Sequence, residues 1–378
     1  MVLVAAVGLL ASASCAYYIA VLLVLWRRGR QTPSVSAKPK SQPGISILKP
    51  ALGVKGNFAD LLRSHAAQDY PDFEILVGVG QHDAAARMAV RKVQAEFSGT
   101  RIELIECPAP TPGCNGKVEA LLQLAPHATK PVLVLSDADI GVPADYLASL
   151  AVDLEVPGTG MVTCLYRAEP DTPVPTRFEA CRINTEFPAQ VLLASTLQGL
   201  RFGLGSTIAL YAETLSSVGG FAVLRQVIGD DYHLGARVAA KGLAVRLSAR
   251  PVSTHFAHET TFKQSWRRQL RWSRTIRKQR PLGHFCLACT FAVPWSALAL
   301  LTEPGTLWPL ATAATSLRLL AGASAARLVR ARSRARSLWL VPAADLCAAA
   351  VWLCSLFGNK VWWAGRSLKL GPQGRIVS

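Results

Sequence analysis

Residues 2–26 are apolar almost without interruption and end in Trp26-Arg27-Arg28-Gly29-Arg30. A helix needs about 20 such residues to cross a bilayer core. A cleaved leader carries its positive residues ahead of the apolar run; here they follow it. Residues 1–30 therefore read as a retained anchor, with Arg27, Arg28 and Arg30 on the cytoplasmic side by the positive-inside rule. Three later stretches approach spanning length: Phe285–Thr302, Leu307–Ala326 and Leu338–Phe357. The basic link from Arg327 to Arg336 belongs on the cytoplasmic face. The last stretch holds Pro342 and Asp345, and a charge in lipid is costly. A full crossing and a re-entrant hairpin both stay open for it. Residues 284–364 thus read as C-terminal transmembrane or re-entrant segments, and 365–378 as a basic tail.

Between Gly44 and Lys278 no stretch is long and apolar enough to span. That part reads as a cytoplasmic domain, 45–258, joined to the anchor by a polar, Pro-rich linker at 31–44. The chain is 51% apolar yet carries a formal net charge of +17, which fits because basic residues gather beside the apolar segments. Anionic lipid headgroups suit that placement; no nucleic-acid-binding motif accompanies it, so no nucleic-acid partner is expected. The nine cysteines are scattered and are expected to stay reduced. Cys286 and Cys289 form a C-x-x-C inside an apolar segment, where packing is the expected role.

Within the domain, short apolar runs alternate with helical spacing. Strands are expected at 45–48, 73–79, 101–106 and 131–135, with helices at 57–67, 84–97 and 116–124. This alternation implies an α/β fold with a mostly parallel sheet and helices on both faces. Further on, strands are expected at 160–164 and 207–210, and helices at 176–194 and 230–241.

Asp137-Ala138-Asp139 follows the fourth strand directly. Open α/β sheets place ligands at that carboxyl edge. Two carboxylates one residue apart repel unless a cation intervenes. Mg²⁺ or Mn²⁺ carrying a diphosphate answers that need; a plain surface turn is the alternative. Asp83 lies past the second strand, as a nucleobase acceptor or a solvated loop acid. Lys117 follows Asn115-Gly116 at a helix start, a place that favours anions. Asp230 is a candidate helix cap, which leaves Asp231 free to act as a general base. Residues 259–283 form a basic amphipathic segment suited to the membrane surface, and its Arg268 and Arg271 have the fork geometry for a diphosphate. His255 and His258 precede it; a structural role or a place beside an acceptor are both open, and their spacing makes no zinc site.

Asp83, Asp137-Ala-Asp139, Asp231 and Arg268-x-x-Arg271-Trp272, in that order, resemble the signature of inverting family-2-type membrane glycosyltransferases. Ser46-Ile-Leu-Lys49-Pro50 and Gln68-Asp-Tyr-Pro71 are similar to the ceramide glucosyltransferase branch. Leu204-Gly-Ser-Thr-Ile-Ala-Leu210, Gly229-Asp-Asp-Tyr232 and Arg271-Trp-Ser-Arg-Thr-Ile-Arg277 resemble the bacterial hopanoid-biosynthesis glycosyltransferases more closely. The resemblance implies a Rossmann-like GT-A fold, a UDP-sugar donor, a divalent cation and a lipid acceptor at a bacterial inner membrane. It implies Asp231 as the general base and Asp137 and Asp139 as metal ligands. Lys49, Asp83, Lys117, Asp137, Arg268, Arg271 and Trp272 are implied at the donor. The donor expected from it is UDP-N-acetylglucosamine or UDP-glucose, and the acceptor a hopanoid polyol. Ceramide with UDP-glucose is the alternative, and an inactive lipid-binding scaffold the alternative of another class.

Overall fold

The computed structural model describes residues 1–30, 39–54, 56–169, 173–331 and 338–377. Most of the expected linker, at 31–38, and half of the basic link, at 332–336, lie outside the described residues. The chain divides into two compact units. One comprises Pro33–Tyr166, Leu200–Glu259 and Gly374–Ser378; the other comprises Met1–Thr32, Arg167–Gly199 and Thr260–Gln373. Residues 167–199, inside the domain expected at 45–258, cluster with the second unit.

The first unit is built on a seven-stranded sheet. Its elements in chain order are β1 (Ile45–Ala51), α1 (Phe58–Ala66), β2 (Phe73–Gly80), α2 (Ala84–Glu96), β3 (Arg101–Cys107), α3 (Gly116–Leu124) and β4 (Val132–Ser136). Then come β5 (Ile140–Gly141), α4 (Tyr146–Leu154), β6 (Thr159–Thr163), β7 (Thr207–Tyr211), α5 (Ala212–Ser217), α6 (Asp230–Ala240), β8 (Ala244–Leu247) and β9 (Val252–Thr254). The sheet order is β3-β2-β1-β4-β7-β6-β8. Strands β1 to β4 are mutually parallel, β7 runs against both β4 and β6, and β8 is parallel to β6. A strand covered on both faces reads as a continuous apolar run, and β1 is buried along its whole length. Buried Ile45, Ile47, Ile75, Val77, Val134 and Leu62 join one core, each such side chain worth roughly 1.5–3 kcal/mol. Phe58, Leu61 and Leu62 turn α1 inward as their spacing requires. Polar Ser46 in β1 is tolerated because its hydroxyl meets buried Glu74, which Thr129 and Arg101 also satisfy.

The second unit is helical. Helix Val2–Arg30 buries Val7, Ala11, Ser14, Tyr18, Val21 and Leu25, alternate steps of four and three that make a narrow packing seam. Its other face leaves Leu3, Leu9, Ile19, Leu23 and Trp26 exposed. Helix Pro304–Leu328 offers a matching seam of small residues, Ala311, Ala314, Ala321 and Ala325, the kind that lets helices approach closely. Among the described residues one helix, Val2–Arg30, is long and apolar enough to cross a membrane, or two if a bent pair counts as one span. The stretch near spanning length at 285–302 falls within that pair: Pro281–Thr290 and Ala292–Thr302 meet at 57°. The span expected at 307–326 lies within Pro304–Leu328, where Arg318 is fully buried. Arg318 explains Asp345. Its fork donates to both Asp345 oxygens, at 2.9 and 2.8 Å, and to the Thr185 carbonyl at 3.3 Å.

Helix Val341–Ser355 has 15 residues, about 22 Å, short of a core of about 30 Å. Its trailing carbonyls are met by guanidinium groups from helix Phe262–Gln279. Arg277 donates to Leu356 at 2.5 Å, and Arg274 to Phe357 at 2.8 Å. An antiparallel hairpin, Lys360–Trp363 with Arg366–Lys369, follows. The single helix expected at 176–194 is two, Arg177–Thr185 and Phe187–Gln198, with Pro188 opening the second.

Candidate functional site

Strand order sets the site. The chain builds β1, β2 and β3 outward, then returns to place β4 on the other side of β1. The edge between β1 and β4 is a topological switch point, where a crevice opens at the strand carboxyl ends. Lys49, near the end of β1, and Asp137, just past β4, stand there.

Asp137 is held by Lys117, whose ammonium lies 2.6 Å from Oδ1 and 3.4 Å from Asp230 Oδ2. Lys117 reaches this point because Asn115 caps α3, accepting from the Val118 amide at 3.2 Å. Asn115 also donates to the Val227 carbonyl at 2.9 Å and to Asp230 Oδ1 at 3.3 Å. The cap expected of Asp230 is instead Gly229, left-handed at φ 75°, a conformation glycine adopts freely. Asp230 then becomes the first residue of α6 and joins the network. Asp231 Oδ1 accepts from the Tyr232 amide at 2.8 Å.

Gly205, before β7, marks where these groups converge. A Cβ there would stand 3.3 Å from Asp137 Oδ2, 3.3 Å from Asp231 Oδ2 and 3.4 Å from Lys117 Nζ. Gly203 packs just as closely, and its amide donates to the Asp231 carbonyl at 3.0 Å. Carboxylates from β4 and α6 thus face one space that only a missing side chain keeps open.

Crowding changes their acidity. Burial pushes the Asp231 carboxyl up to about 6; Asp230's charge adds to this and Lys117 opposes it. Burial raises Asp137 too, Lys117 pulling it down and Asp139 pushing it up. Burial pulls the Lys117 ammonium down, but Asp137, Asp230 and Asp231 outweigh it, and the net shift is upward. Lys117 stays charged.

Asp139 is the exposed acid of the motif. Pairing of β5 with β9 fixes it: Thr254 Oγ1 donates to Oδ2 at 3.1 Å and the His255 amide to its carbonyl at 3.0 Å. His255 therefore supports the turn through its backbone, while His258 is exposed.

Lys49, expected at the donor, is fully buried. Its ammonium donates to the Asp137 carbonyl at 2.8 Å and reaches Ser136 Oγ at 3.4 Å and the Ile140 carbonyl at 3.5 Å. It clamps the D-x-D turn from beneath, and burial pulls its pKa down to about 7. His65, unremarked in the sequence, belongs to the same clamp. Its Nδ1 meets the Leu61 carbonyl at 2.9 Å, so it carries the proton, and Nε2 accepts from Ser136 Oγ at 3.0 Å. Asp83 sits at the same sheet edge, but one oxygen caps α2, accepting from Ala86 at 3.0 Å.

The donor set suits a hard divalent cation. Asp137 and Asp139 offer only carboxylate oxygens, and among the described residues no three Asp, Glu, His or Cys side chains close a metal cage. Such an open site matches Mg²⁺ or Mn²⁺, which take one or two carboxylates and complete their shell with water and substrate phosphates.

The other expected residues lie in the helical unit. Arg268 donates to Glu179 through Nε at 2.6 Å and through its terminal nitrogen at 2.7 Å. The Arg271 guanidinium lies 6.0 Å from the ring of Trp272 and 5.5 Å from that of Trp363. Arg274 and Arg277, in the segment expected at the membrane surface, donate to the Phe357 and Leu356 carbonyls.

A family model, Glycosyl transferase family 21, matches residues 6–376. Ceramide glucosyltransferase 3 of Caenorhabditis elegans is 22% identical over 238 residues, covering 63% of this chain and 51% of that protein. Ceramide glucosyltransferase 1 of the same organism is 22% identical over 219 residues, covering 58% and 47%. The chain spans about half the length of the curated relatives it matches. Among solved structures, the mannosyltransferase PcManGT from Pyrobaculum calidifontis, in complex with GDP-Man and Mn²⁺, aligns with a TM-score of 0.53 at 22% identity. That alignment covers 92% of this chain and 99% of the other. With the mostly parallel sheet, it makes the fold GT-A-like α/β, as expected.

Proposed function

Because this chain belongs to glycosyl transferase family 21, we propose that it moves a sugar from a UDP-sugar to a hydroxyl of a membrane lipid, with inversion. The observation that carries this reading is the convergence of Asp137, Asp231 and Lys117 on the space at Gly205. One acid there is paired with an ammonium, and burial lifts the pKa of the other to about 6. Those are the two tasks the chemistry sets.

In the proposed reaction the acceptor hydroxyl approaches Asp231, which takes its proton as general base. The freed oxygen attacks the anomeric carbon from the face opposite the diphosphate. The bond from that carbon to the diphosphate oxygen breaks, and UDP leaves with the bonding pair. Asp137 and Asp139 would hold Mg²⁺ or Mn²⁺, which when bound neutralises charge developing on the diphosphate. Lys117 adds a fixed positive charge at the start of α3, where helix amides also favour anions. Asp83, at the sheet edge, has an oxygen left for the nucleobase. Arg271 and Trp272, by their motif, serve the leaving diphosphate. Lys49 and His65 act from below by holding the turn.

Helix Val2–Arg30, with its apolar outer face and terminal arginines, supports an integral membrane protein with a cytoplasmic site. A bacterial inner membrane follows from the hopanoid resemblance. The sugar is proposed as N-acetylglucosamine or glucose and the acceptor as a hopanoid polyol. Ceramide is the second reading, favoured by the two relatives named ceramide glucosyltransferases. Purified protein given each labelled UDP-sugar with each lipid tests both. Transfer to ceramide alone overturns the hopanoid reading, and no transfer to any lipid overturns the function.

A further inference from the structure

The loop that delivers Asp231 is bonded along both of its edges. Gln226, Val227 and Ile228 precede Gly229, whose left-handed turn opens α6 with Asp230 and Asp231. Backbone groups of an extended segment point to alternate edges, and here each edge has a partner. On one edge the Arg225 carbonyl accepts from the Asn115 amide at 2.7 Å, and the Val227 carbonyl from Asn115 Nδ2 at 2.9 Å. On the other, the Ile228 amide donates to the Gly374 carbonyl at 2.9 Å, and the Ile376 amide to the Gln226 carbonyl at 2.8 Å. Val227 and Arg375 form the antiparallel pair between those two bonds. Residues 374–378 belong to the sheet unit, as do the loop and Asp231. Ile376 is 7% exposed and Ile228 1%, while Arg375 is exposed.

The two edges do different work. Asn115 caps α3, so its edge ties the loop to the helix that carries Lys117. The edge made by Gly374 and Ile376 is bonded from backbone to backbone. A loop held along one edge can pivot about it; a second edge removes that freedom and fixes the direction in which α6 begins. Asp231 stands in the first turn of α6, so a pivot would displace it. Asp137 and Asp139 keep anchors of their own in Lys49 and Thr254. Resting on the reading of Asp231 as general base, we propose that segment Gly374–Ile376 is a positioning strap for the loop that presents Asp231, with the Ile376 amide as its clasp.

Ile376→Pro tests this in the full chain in detergent. Proline removes the donated N–H and suits an extended residue before it, while the side chain stays apolar. The readouts are kcat, UDP affinity by calorimetry, thermal midpoint and amide exchange from Ile228 to His233. In Ile376→Pro, kcat is expected to fall about tenfold, because a slightly displaced base loses its reactive geometry. UDP affinity and the thermal midpoint should stay near wild type, and exchange in the loop should quicken. Ile376→Val keeps the N–H and should match wild type in all four. A chain ended at Gln373 removes the whole strap, should lose more in kcat than Ile376→Pro, and serves if that variant misfolds. Unchanged kcat in both altered chains would overturn the proposal. So would a parallel fall of kcat, UDP affinity and thermal midpoint, which would make the strap a general support of the fold. Exchange reads the strap without any transfer. Quicker exchange in Ile376→Pro supports it even where wild type glycosylates no lipid, a result that fails the proposed function alone; equal exchange overturns it.

Discussion

Charge is handled in opposite ways by the two units. In the helical unit the charged groups close on one another: Arg318 with Asp345, Arg182 with Glu186, Arg268 with Glu179. At the sheet edge four acids, Asp137, Asp139, Asp230 and Asp231, share two ammonium groups, Lys49 and Lys117. Paired charges fix geometry. The surplus of acid at the edge is what a cation and a charged substrate can use. This difference separates scaffold from site more clearly than residue type does.

Removing an acid from the surplus should cost chemistry and spare the fold. Asp231→Asn is expected to lower kcat by about 10²- to 10⁴-fold, the range for a lost general base, with the thermal midpoint held within a few degrees. Single-turnover transfer beside a melting curve checks both. A variant with intact transfer would take Asp231 out of the reaction.

Removing one member of a closed pair should do the reverse. Arg318→Met leaves Asp345 buried without its partner, and a loss of about 3–5 kcal/mol is expected. The double change Arg318→Met, Asp345→Leu should recover most of it, since apolar residues of similar volume often replace a buried pair at little cost. Thermal unfolding in detergent reads the cycle. A double variant no better than the single would mean the pair does more than satisfy itself.

The space at Gly205 sharpens the comparison further. Gly205→Ala adds a methyl group 3.3 Å from both Asp137 Oδ2 and Asp231 Oδ2. A loss of about tenfold in kcat/KM is expected from so small a displacement of reacting groups, with little change in melting. Unaltered kinetics would mean that the donor does not use this space.

Sequence made the sheet edge legible and the helical pairs illegible, for a physical reason. The strands at 45–51, 73–80 and 132–136 are mostly apolar and buried over nearly their whole length, and an acid just past such a strand lands at the carboxyl edge whatever follows. Strands of two to four residues, such as Ile140–Gly141 and Val252–Thr254, carry no periodicity to read. Helix Tyr146–Leu154 went unread as well. The pairing of Arg268 with Glu179 was hidden because the two lie 89 residues apart. Asp345 read as an anomaly because Arg318 lies on another helix. The hold of Lys49 on the turn was hidden because the groups it meets, Ser136, Asp137 and Ile140, lie 87 to 91 residues away. The break at Glu186 did have a signal, Pro188 in the first turn of the helix that follows.

The smallest expected effect is also the most specific to the edge. Asp231 acts as a base only when ionised, so kcat/KM should fall as pH drops through about 6, where burial and Asp230 have pushed its pKa. Above that value the profile should be flat until another group titrates. The two neighbours move the limb in opposite directions. Asp230→Asn removes a negative charge that disfavours ionisation, so the acid limb should move down in pH. Lys117→Met removes a positive charge that favours it, so the limb should move up even as overall activity falls. Pre-steady-state transfer over pH 4.5 to 8 separates the position of the limb from its height. Two variants that shift it in the same direction would break the account of Asp231 as a carboxylate balanced between one acid and one ammonium.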